Sequence, residues 1–475
     1  MAMLGKRRPP RAATGRVRRE SGAHAPPRGE AADTLTIERL AHDGRGVARD
    51  PHGKTVFVDQ ALPGERVRIA VHRQRKRFDE AHVVECLEPS RQRVTPPCMY
   101  YGRCGGCDLQ HLALEEQRTH KQRTLEELFT RQGLDLPAMQ RLVGEGLGYR
   151  RRARLGVKCD AEGTPHLGFR ARGSEHLVDI DHCMVLEPIL ADLIAPLREC
   201  LTTLEAPRRV GHIELLATAE GACVVIRQLR DVPGDETRWQ RFAAERDITL
   251  IWQVGRESPT RRWLHAPFGE TLHVTLALDD TTLQLGCAPG DFLQINAEVN
   301  AQLVRTALRW LAPQGHERVL DLFAGVGNFT LALSPHVAAI SGIEGSPAMV
   351  ERLADNARRA GLHHVEAHQA DLATRMPDVD DVDWVVLDPP RGGAEALCRG
   401  LVEHPVEKVL YVSCDPAALA RDTAHLVQGG YRIERAAVVD MFPHTAHLES
   451  MLLLTRASSR GRSMSAERED HGQGP

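Results

Sequence analysis

The sequence lacks the features that would mark a membrane or secreted protein. No apolar run approaches the roughly 18 residues that a membrane-spanning helix needs. The first thirty residues also lack the apolar stretch of roughly 7–15 residues that a signal peptide contains. Nor is there a marked net charge, since the formal value is −3 at pH 7. These absences predict a soluble, cytoplasmic protein with no membrane contact.

The near-neutral total hides a basic N-terminus. Residues 1–30 carry eight Lys or Arg against two acids and are rich in Pro, Gly and Ala. We predict a disordered basic tail at 1–32 and a second disordered tail at 457–475. The basic tail fits attraction to nucleic acid phosphates and a solubilising extension equally well. The length of 475 residues predicts about three domains between the tails.

Residues 33–90 alternate short apolar runs with turn signals, including H-D-G-R-G at 42–46 and L-P-G-E at 62–65. This spacing predicts a small antiparallel barrel. Six Lys or Arg and no acid lie between Arg66 and Arg77, which indicates either a phosphate-binding stripe or a solvated face. The pattern resembles the TRAM domain, an OB-like RNA-binding barrel, and that resemblance favours RNA binding.

Three closely spaced cysteines, Cys98, Cys104 and Cys107, follow the barrel among several glycines. A disulfide framework is not expected without a signal peptide, so the thiols are predicted to bind a metal or a cluster. Zinc and iron–sulfur clusters both use four thiolates. Cys159 and Cys183 are the two candidates for the fourth ligand.

Residues 91–282 mix helical and strand patterns, which predicts a central α+β domain. Its basic run Y-R-R-R-A-R at 149–154 fits an RNA-facing surface or a plain strand edge, and the sequence does not separate the two.

Residues 283–456 alternate strands with helices, which predicts a mainly parallel sheet. The apolar runs W-V-V-L and V-L-Y-V lead into Asp388 and into Ser413-Cys414. Both sites are therefore predicted at the carboxyl ends of buried strands, where open α/β sheets bind ligands. Asp415 and Pro416 predict a helix start that would favour the thiolate of Cys414. The alternative is a buried structural thiol.

A glycine turn, A-G-V-G-N-F at 324–329, follows the strand Val319–Phe323. It lacks the third glycine of a dinucleotide site, but D-x-F-x-G-x-G-x-F resembles motif one of S-adenosylmethionine-dependent methyltransferases. Glu344 ends the next strand and could accept both ribose hydroxyls. Asp371 follows another strand and could meet the adenine amino group.

Together these motifs resemble the uracil-C5 RNA methyltransferases. The domain order resembles the bacterial 23S ribosomal RNA 5-methyluridine methyltransferases that carry an iron–sulfur cluster. The resemblance covers roughly residues 33–456. It implies a multidomain α/β protein with an OB-like TRAM barrel (33–90), a central α+β domain with the cluster (91–282) and a Rossmann-like methyltransferase domain (283–456).

The resemblance also implies functional residues and partners. A [4Fe-4S] cluster would be bound by Cys98, Cys104, Cys107 and Cys183, where the G-F-R run before Cys183 matches the family. S-adenosylmethionine would be bound by Gln294 (in the run F-x-Q-x-N), Phe323, Asn328, Glu344, Asp371 and Asp388. Cys414 would be the nucleophile and Glu449 the base. The implied partner is 23S ribosomal RNA, and we expect a monomer without a protein partner.

Uracil chemistry explains why a thiol and a base are needed. C5 of uracil is too weak a nucleophile to take a methyl group directly, so a thiolate first adds at C6. A base must then remove the C5 proton before the enzyme is released.

Several alternatives remain open. Another RNA, such as transfer RNA, could be the substrate, or the chain could be a noncatalytic RNA-binding assembly factor. A radical methylthiotransferase would need C-x3-C-x2-C, whereas the spacing from Cys98 to Cys107 is C-x5-C-x2-C. A cytosine-C5 enzyme normally presents its thiol after proline, whereas Cys414 follows Ser413.

Overall fold

The computed structural model describes residues 34–257, 259–373 and 376–456. Both predicted disordered tails, 1–32 and 457–475, lie outside these ranges. Within them, no helix has both the length and the apolar character needed to cross a bilayer.

The N-terminal unit is a six-stranded sheet in the order β1-β5-β6-β4-β3-β2. Alternate residues of β1, β4 and the first half of β5 point into one apolar core around Leu35, Val58 and Val67. β1 also contacts β3, so the sheet folds back on itself. The strands are β1 (Thr34–Thr36), β2 (Arg39–Leu40), β3 (Gly46–Arg49), β4 (Thr55–Asp59), β5 (Arg66–Gln74) and β6 (Phe78–Glu88).

The next two elements leave the barrel and join the C-terminal sheet. Helix α1 (Leu114–Arg131) buries Leu125 and Phe129 in the C-terminal core. Strand β7 (Met139–Leu142) then forms one edge of the C-terminal sheet. Sequence patterns had placed both elements in the central domain.

The central unit is a seven-stranded sheet in the order β10-β9-β8-β11-β12-β13-β14, with its helices packed on one core. β12 and β13 pair in parallel, and the other neighbours are antiparallel. The elements are β8 (Arg152–Cys159), β9 (Pro165–Arg170), β10 (Leu177–Asp179), α2 (Pro188–Ala191), α3 (Ile194–Thr203), a 3₁₀ turn (Pro207–Arg209), β11 (Val210–Thr218), β12 (Gly221–Gln228), α4 (Pro233–Ala244), β13 (Thr249–Val254) and β14 (Thr260–His265).

A hairpin, β15 (Leu272–Ala277) and β16 (Thr282–Cys287), leads into the C-terminal unit. Its elements are α5 (Ala297–Leu311), β17 (Arg318–Leu322), α6 (Thr330–Leu333), a 3₁₀ turn (Ser334–His336), β18 (Ala339–Glu344), α7 (Pro347–Arg359), β19 (Val365–Gln369), β20 (Trp384–Leu387), α8 (Glu395–Glu403), β21 (Lys408–Ser413), α9 (Pro416–Gln428), β22 (Arg432–Val439) and β23 (Glu449–Thr455).

The C-terminal sheet runs in the order β19-β18-β17-β20-β21-β23-β22-β7. Five neighbouring strands, β19, β18, β17, β20 and β21, are parallel to one another. β23 lies between β21 and β22 and is antiparallel to both. β20 is buried at all four positions, as expected for a parallel strand covered on both faces. The prediction of a mainly parallel sheet is therefore confirmed, with β23 as the antiparallel exception.

Candidate active site

Cys414 lies between the end of β21 and the start of α9, as the sequence predicted. Asp415 caps the helix, because its carboxylate accepts the N–H groups of Ala417 at 3.0 Å and Ala418 at 2.9 Å. A carboxylate, rather than the thiol, therefore occupies the positive helix end.

The pKa of the Cys414 thiol is raised, chiefly by burial and further by the carboxyls of Glu449 and Asp388. The Arg391 guanidinium acts in the opposite direction. The prediction that the thiolate of Cys414 would be favoured is wrong for the free protein, because burial and two acids raise the pKa of the thiol. Arg391 was not among the predicted site residues, although it stands only three residues after Asp388, in the run D-P-P-R at 388–391.

Glu449 reaches Cys414 through the pairing of β21 with β23. Ser413 pairs with Ser450, so Glu449 lies beside the residue that follows β21. Its side chain is buried, at 3% exposure, and burial raises its pKa to about 7. A hydrogen bond with the Gln294 side chain opposes this shift. The predicted base thus contacts a residue predicted to bind the cofactor.

Asp388 lies near two other carboxyls, those of Glu449 and Asp321. Asp388 follows β20, and its pKa is raised by burial, by Glu449 and by Asp321. Asp321 accepts the Thr330 hydroxyl at 2.5 Å, and burial raises its pKa to about 7. Its Oδ1 atom has no hydrogen-bond partner in the described ranges. Asp321 was visible in motif one but was not selected as a site residue.

The predicted cofactor residues line the carboxyl edge of the parallel strands. Phe323 follows β17 with φ of 67°, a left-handed conformation that non-glycine residues adopt at a cost of about 1–3 kcal/mol. The Glu344 carboxylate accepts the N–H groups of Gly325 at 3.2 Å and Ser346 at 2.9 Å. Such strain and fixed carboxylates are common at ligand sites.

Two further predicted residues follow strands β17 and β19. The Asn328 side-chain amide exchanges two hydrogen bonds with that of Asn300, at 2.8 and 3.0 Å. Asp371 follows β19, is exposed, and accepts the Ala373 N–H at 3.0 Å. β18, β17 and β20 separate β19 from β21, so Asp371 is farther from Cys414 than Asp388 is.

The four predicted cluster cysteines come together, although they are far apart in sequence. The pKa values of Cys104 and Cys107 are raised chiefly by burial and further by Cys183 and Cys98. Pairing of Cys104 with Ala171 brings the first loop to the β9–β10 hairpin. The pKa of the rival, Cys159, instead responds to burial, Arg208 and Asp160.

No group of three or more metal-binding side chains in the described ranges is arranged to hold a metal ion. The cluster therefore stays a prediction.

The basic run at 149–154 has a structural role that the sequence left undecided. Arg151 donates from Nε to the Gln294 carbonyl at 2.6 Å, and Arg152 donates to the Asp291 carbonyl. Arg152 also pairs with Glu214 at 2.7 Å. These side chains fix the backbone of the segment that presents Gln294.

Comparison with known proteins assigns the family. The model of the family "tRNA (Uracil-5-)-methyltransferase" matches residues 113–457. A 23S rRNA (uracil(1939)-C(5))-methyltransferase of Chromohalobacter salexigens is 80% identical over the full length of both chains. The enzyme of the same name from Halomonas elongata is 54% identical and covers 98% of this chain and 99% of its own. The chain belongs to the uracil-C5 RNA methyltransferases.

Membership of this family confirms the predicted enzyme class. The TRAM domain model matches residues 34–84, which confirms the N-terminal prediction. The solved Pyrococcus abyssi tRNA (uracil-54, C5)-methyltransferase has a TM-score of 0.70 and 24% identity, over 89% of this chain and all of its own. That similarity confirms the fold of this uracil-C5 methyltransferase.

Proposed function

We propose that this enzyme methylates C5 of one uridine of 23S ribosomal RNA, at the position equivalent to uridine 1939, with S-adenosylmethionine as methyl donor. The names of relatives that share 80% and 54% of the sequence support the substrate. The observation that carries the chemistry is the pairing of β21 with β23, which brings a thiol beside a buried carboxyl.

The residues at the carboxyl edge fit S-adenosylmethionine, which supplies an electrophilic methyl group when bound. Glu344 can accept ribose hydroxyls, and Asp371 can accept from the adenine amino group. The Asp321 oxygen without a partner provides a further acceptor in the described site. Gln294, Phe323, Asn328 and Asp388 complete the proposed set. Gly325, at φ of 57°, lets the backbone approach the ligand.

The protein steps follow from the thiol and the base. The Cys414 thiol loses its proton to water, and the resulting thiolate forms a bond to C6. The displaced electron pair of the C5–C6 double bond makes C5 nucleophilic. After C5 has taken the methyl group, Glu449 accepts the C5 proton. The C5–H electron pair then re-forms the C5–C6 double bond and expels the thiolate. A carboxyl pKa of about 7 suits a base that must be ionised near neutral pH.

We propose that the barrel binds RNA through a smaller part of its basic run at 66–77 than the sequence indicated. Three residues of the basic run form ion pairs across β5 and β6: Arg66 with Glu88, Arg68 with Glu85 and Arg73 with Glu80. The exposed residues of the β5–β6 turn, Arg75, Lys76 and Arg77, have no ion pair within the described ranges. They are the better candidates for phosphate contacts.

We also propose the [4Fe-4S] cluster on Cys98, Cys104, Cys107 and Cys183. Their mutual electrostatic influence supports this set. The sulfur atoms of these four cysteines would hold the cluster. The Gly106 N–H donates to the Cys104 sulfur at 3.4 Å, the kind of contact that tunes clusters.

The predicted domain limits, the monomeric state and the cytoplasmic location are retained as proposals. Residues 114–142, which include α1 and β7, pack with the catalytic sheet and not with the central sheet. The catalytic unit therefore combines 283–456 with this earlier segment.

The test is covalent trapping. Wild-type protein is incubated with S-adenosylmethionine and ribosomal RNA containing 5-fluorouridine, whose C5 fluorine cannot leave as a proton. Mass spectrometry should locate an RNA adduct on Cys414. The Cys159→Ala control should form the adduct, and Cys414→Ala should not. If only transfer RNA forms an adduct, transfer RNA and not ribosomal RNA is the substrate. If neither RNA forms an adduct, the mechanism is refuted.

A further inference from the structure

The loop that leads to Glu449 is supported from outside the C-terminal part of the chain. Residues 440–448, here called the base loop, connect β22 to β23 and end directly before Glu449. Their supports come from residues 108–121, from Leu142 and from Tyr149, all distant in sequence. This segment has no role so far in the proposed chemistry.

The centre of the base loop is strained. His444 has φ of 65°, a left-handed conformation that a non-glycine residue keeps only where its surroundings impose it. Its carbonyl accepts the N–H groups of Asp108 at 2.9 Å and Leu109 at 3.0 Å. Its own N–H donates to Gln117 Oε1 at 2.9 Å. Both backbone polar groups of His444 are thus held by residues 108–117.

The Gln117 side chain binds both sides of this contact. Its amide NH₂ donates to the carbonyls of Leu109 at 3.0 Å and Leu112 at 2.8 Å, and its oxygen accepts from His444. The side chain is buried, at 1% exposure. An amide is required here because only it offers two donors and an acceptor at one end.

Two further contacts fix the flanks of the base loop. Lys121, one turn after Gln117 on α1, donates to Asp440 at 2.8 Å and to the Phe442 carbonyl at 2.9 Å. The Tyr149 hydroxyl donates to the Pro443 carbonyl at 3.0 Å. The base loop is therefore fixed at 440, 442, 443 and 444, all within ten residues of Glu449.

We propose that Gln117 is a positioning residue for Glu449, acting by holding the base loop in its strained conformation. This inference rests on the proposed role of Glu449 as the base. Removal of the C5 proton requires the carboxylate within hydrogen-bond reach, and a misplacement of about 1 Å can cost roughly a hundredfold in rate. Attack by Cys414 needs no proton transfer to this carboxylate, whose charge only raises the pKa of the thiol, so the two steps should respond differently.

The test measures two rates in single turnovers with S-adenosylmethionine and unmodified ribosomal RNA. Gln117→Met keeps the side-chain length but removes all its hydrogen bonds. It should form the covalent RNA adduct within about twofold of the wild-type rate and break it down about tenfold more slowly. A denaturation-resistant RNA–protein adduct should therefore accumulate. Gln122→Met, on the same helix but away from the base loop, should behave as wild type.

The outcomes separate this inference from the proposed function. Equal slowing of both steps, or unchanged breakdown, would overturn the role of Gln117. Failure of wild-type protein to form the adduct with 5-fluorouridine RNA would overturn the Cys414 mechanism itself. If Gln117→Met does not fold, Tyr149→Phe decides, because it removes a different hydrogen bond to the same loop. It must then show the same accumulation of adduct for the inference to stand.

Discussion

Replacing Glu449 with glutamine should make the protein more stable while it blocks turnover. The pKa of Glu449 is raised from 4.5 to about 7 by burial. Below pH 4.5 the carboxyl is neutral in the folded and unfolded states, and burial carries no ionisation penalty. Above about pH 7 the carboxyl is ionised in both states, and the pKa difference of roughly 2.5 lowers the free energy of unfolding by about 3 kcal/mol. Glutamine has no such penalty.

The free energy of unfolding of Glu449→Gln should therefore exceed that of wild type by up to about 3 kcal/mol at about pH 8, and the difference should vanish near pH 4.5. Scanning calorimetry of the ligand-free proteins at several pH values measures it. The exposed Glu434→Gln on neighbouring β22 is the matched control. A difference that does not change with pH would refute the burial argument.

The same variant separates stability from chemistry. Without a base, Glu449→Gln should still form the Cys414 adduct with unmodified RNA but should not release it. A stable protein that accumulates adduct would show that the buried carboxyl is kept for its function at a cost in stability. Normal release of methylated RNA would contradict the assignment of the base.

Three further predictions concern other sites. Cys414→Ala should bind ribosomal RNA but transfer no methyl group to it, as measured with radiolabelled S-adenosylmethionine; residual transfer would exclude the thiol mechanism. Cys183→Ser should lose bound iron in elemental analysis of anaerobically purified protein, whereas Cys159→Ser should retain it; equal iron in both would remove Cys183 from the ligand set. Replacing Arg75, Lys76 and Arg77 with alanine should reduce the slope of log affinity against log salt by about 2, and an unchanged slope would exclude phosphate contacts there.

Local patterns were sufficient for much of the site. Asp388 and Cys414 each follow an apolar run, and a buried parallel strand is apolar throughout. The end of each run therefore showed that these residues lie at the carboxyl ends of strands. The helix start at Asp415 and Pro416 was likewise readable, because a capping side chain and a first-turn proline act within a few residues.

The direction of the Cys414 pKa could not be predicted from such patterns. This pKa depends on the burial of the thiol and on the charges of Glu449 and Asp388. Only the folded chain brings these groups close to Cys414. The basic runs were misleading for a related reason. Arg66 and Arg68 face acids on β6, and Arg151 binds a carbonyl far along the chain.

The sequence alone determined the order of domains, the catalytic sheet and the identity of the candidate nucleophile and base, because these depend on local periodicity and motifs. Only the tertiary structure decided that α1 and β7 belong with the catalytic sheet, that Gln294 contacts Glu449, and that Gln117 holds the base loop. Each of these contacts joins residues more than a hundred positions apart, and no local pattern encodes such a distance.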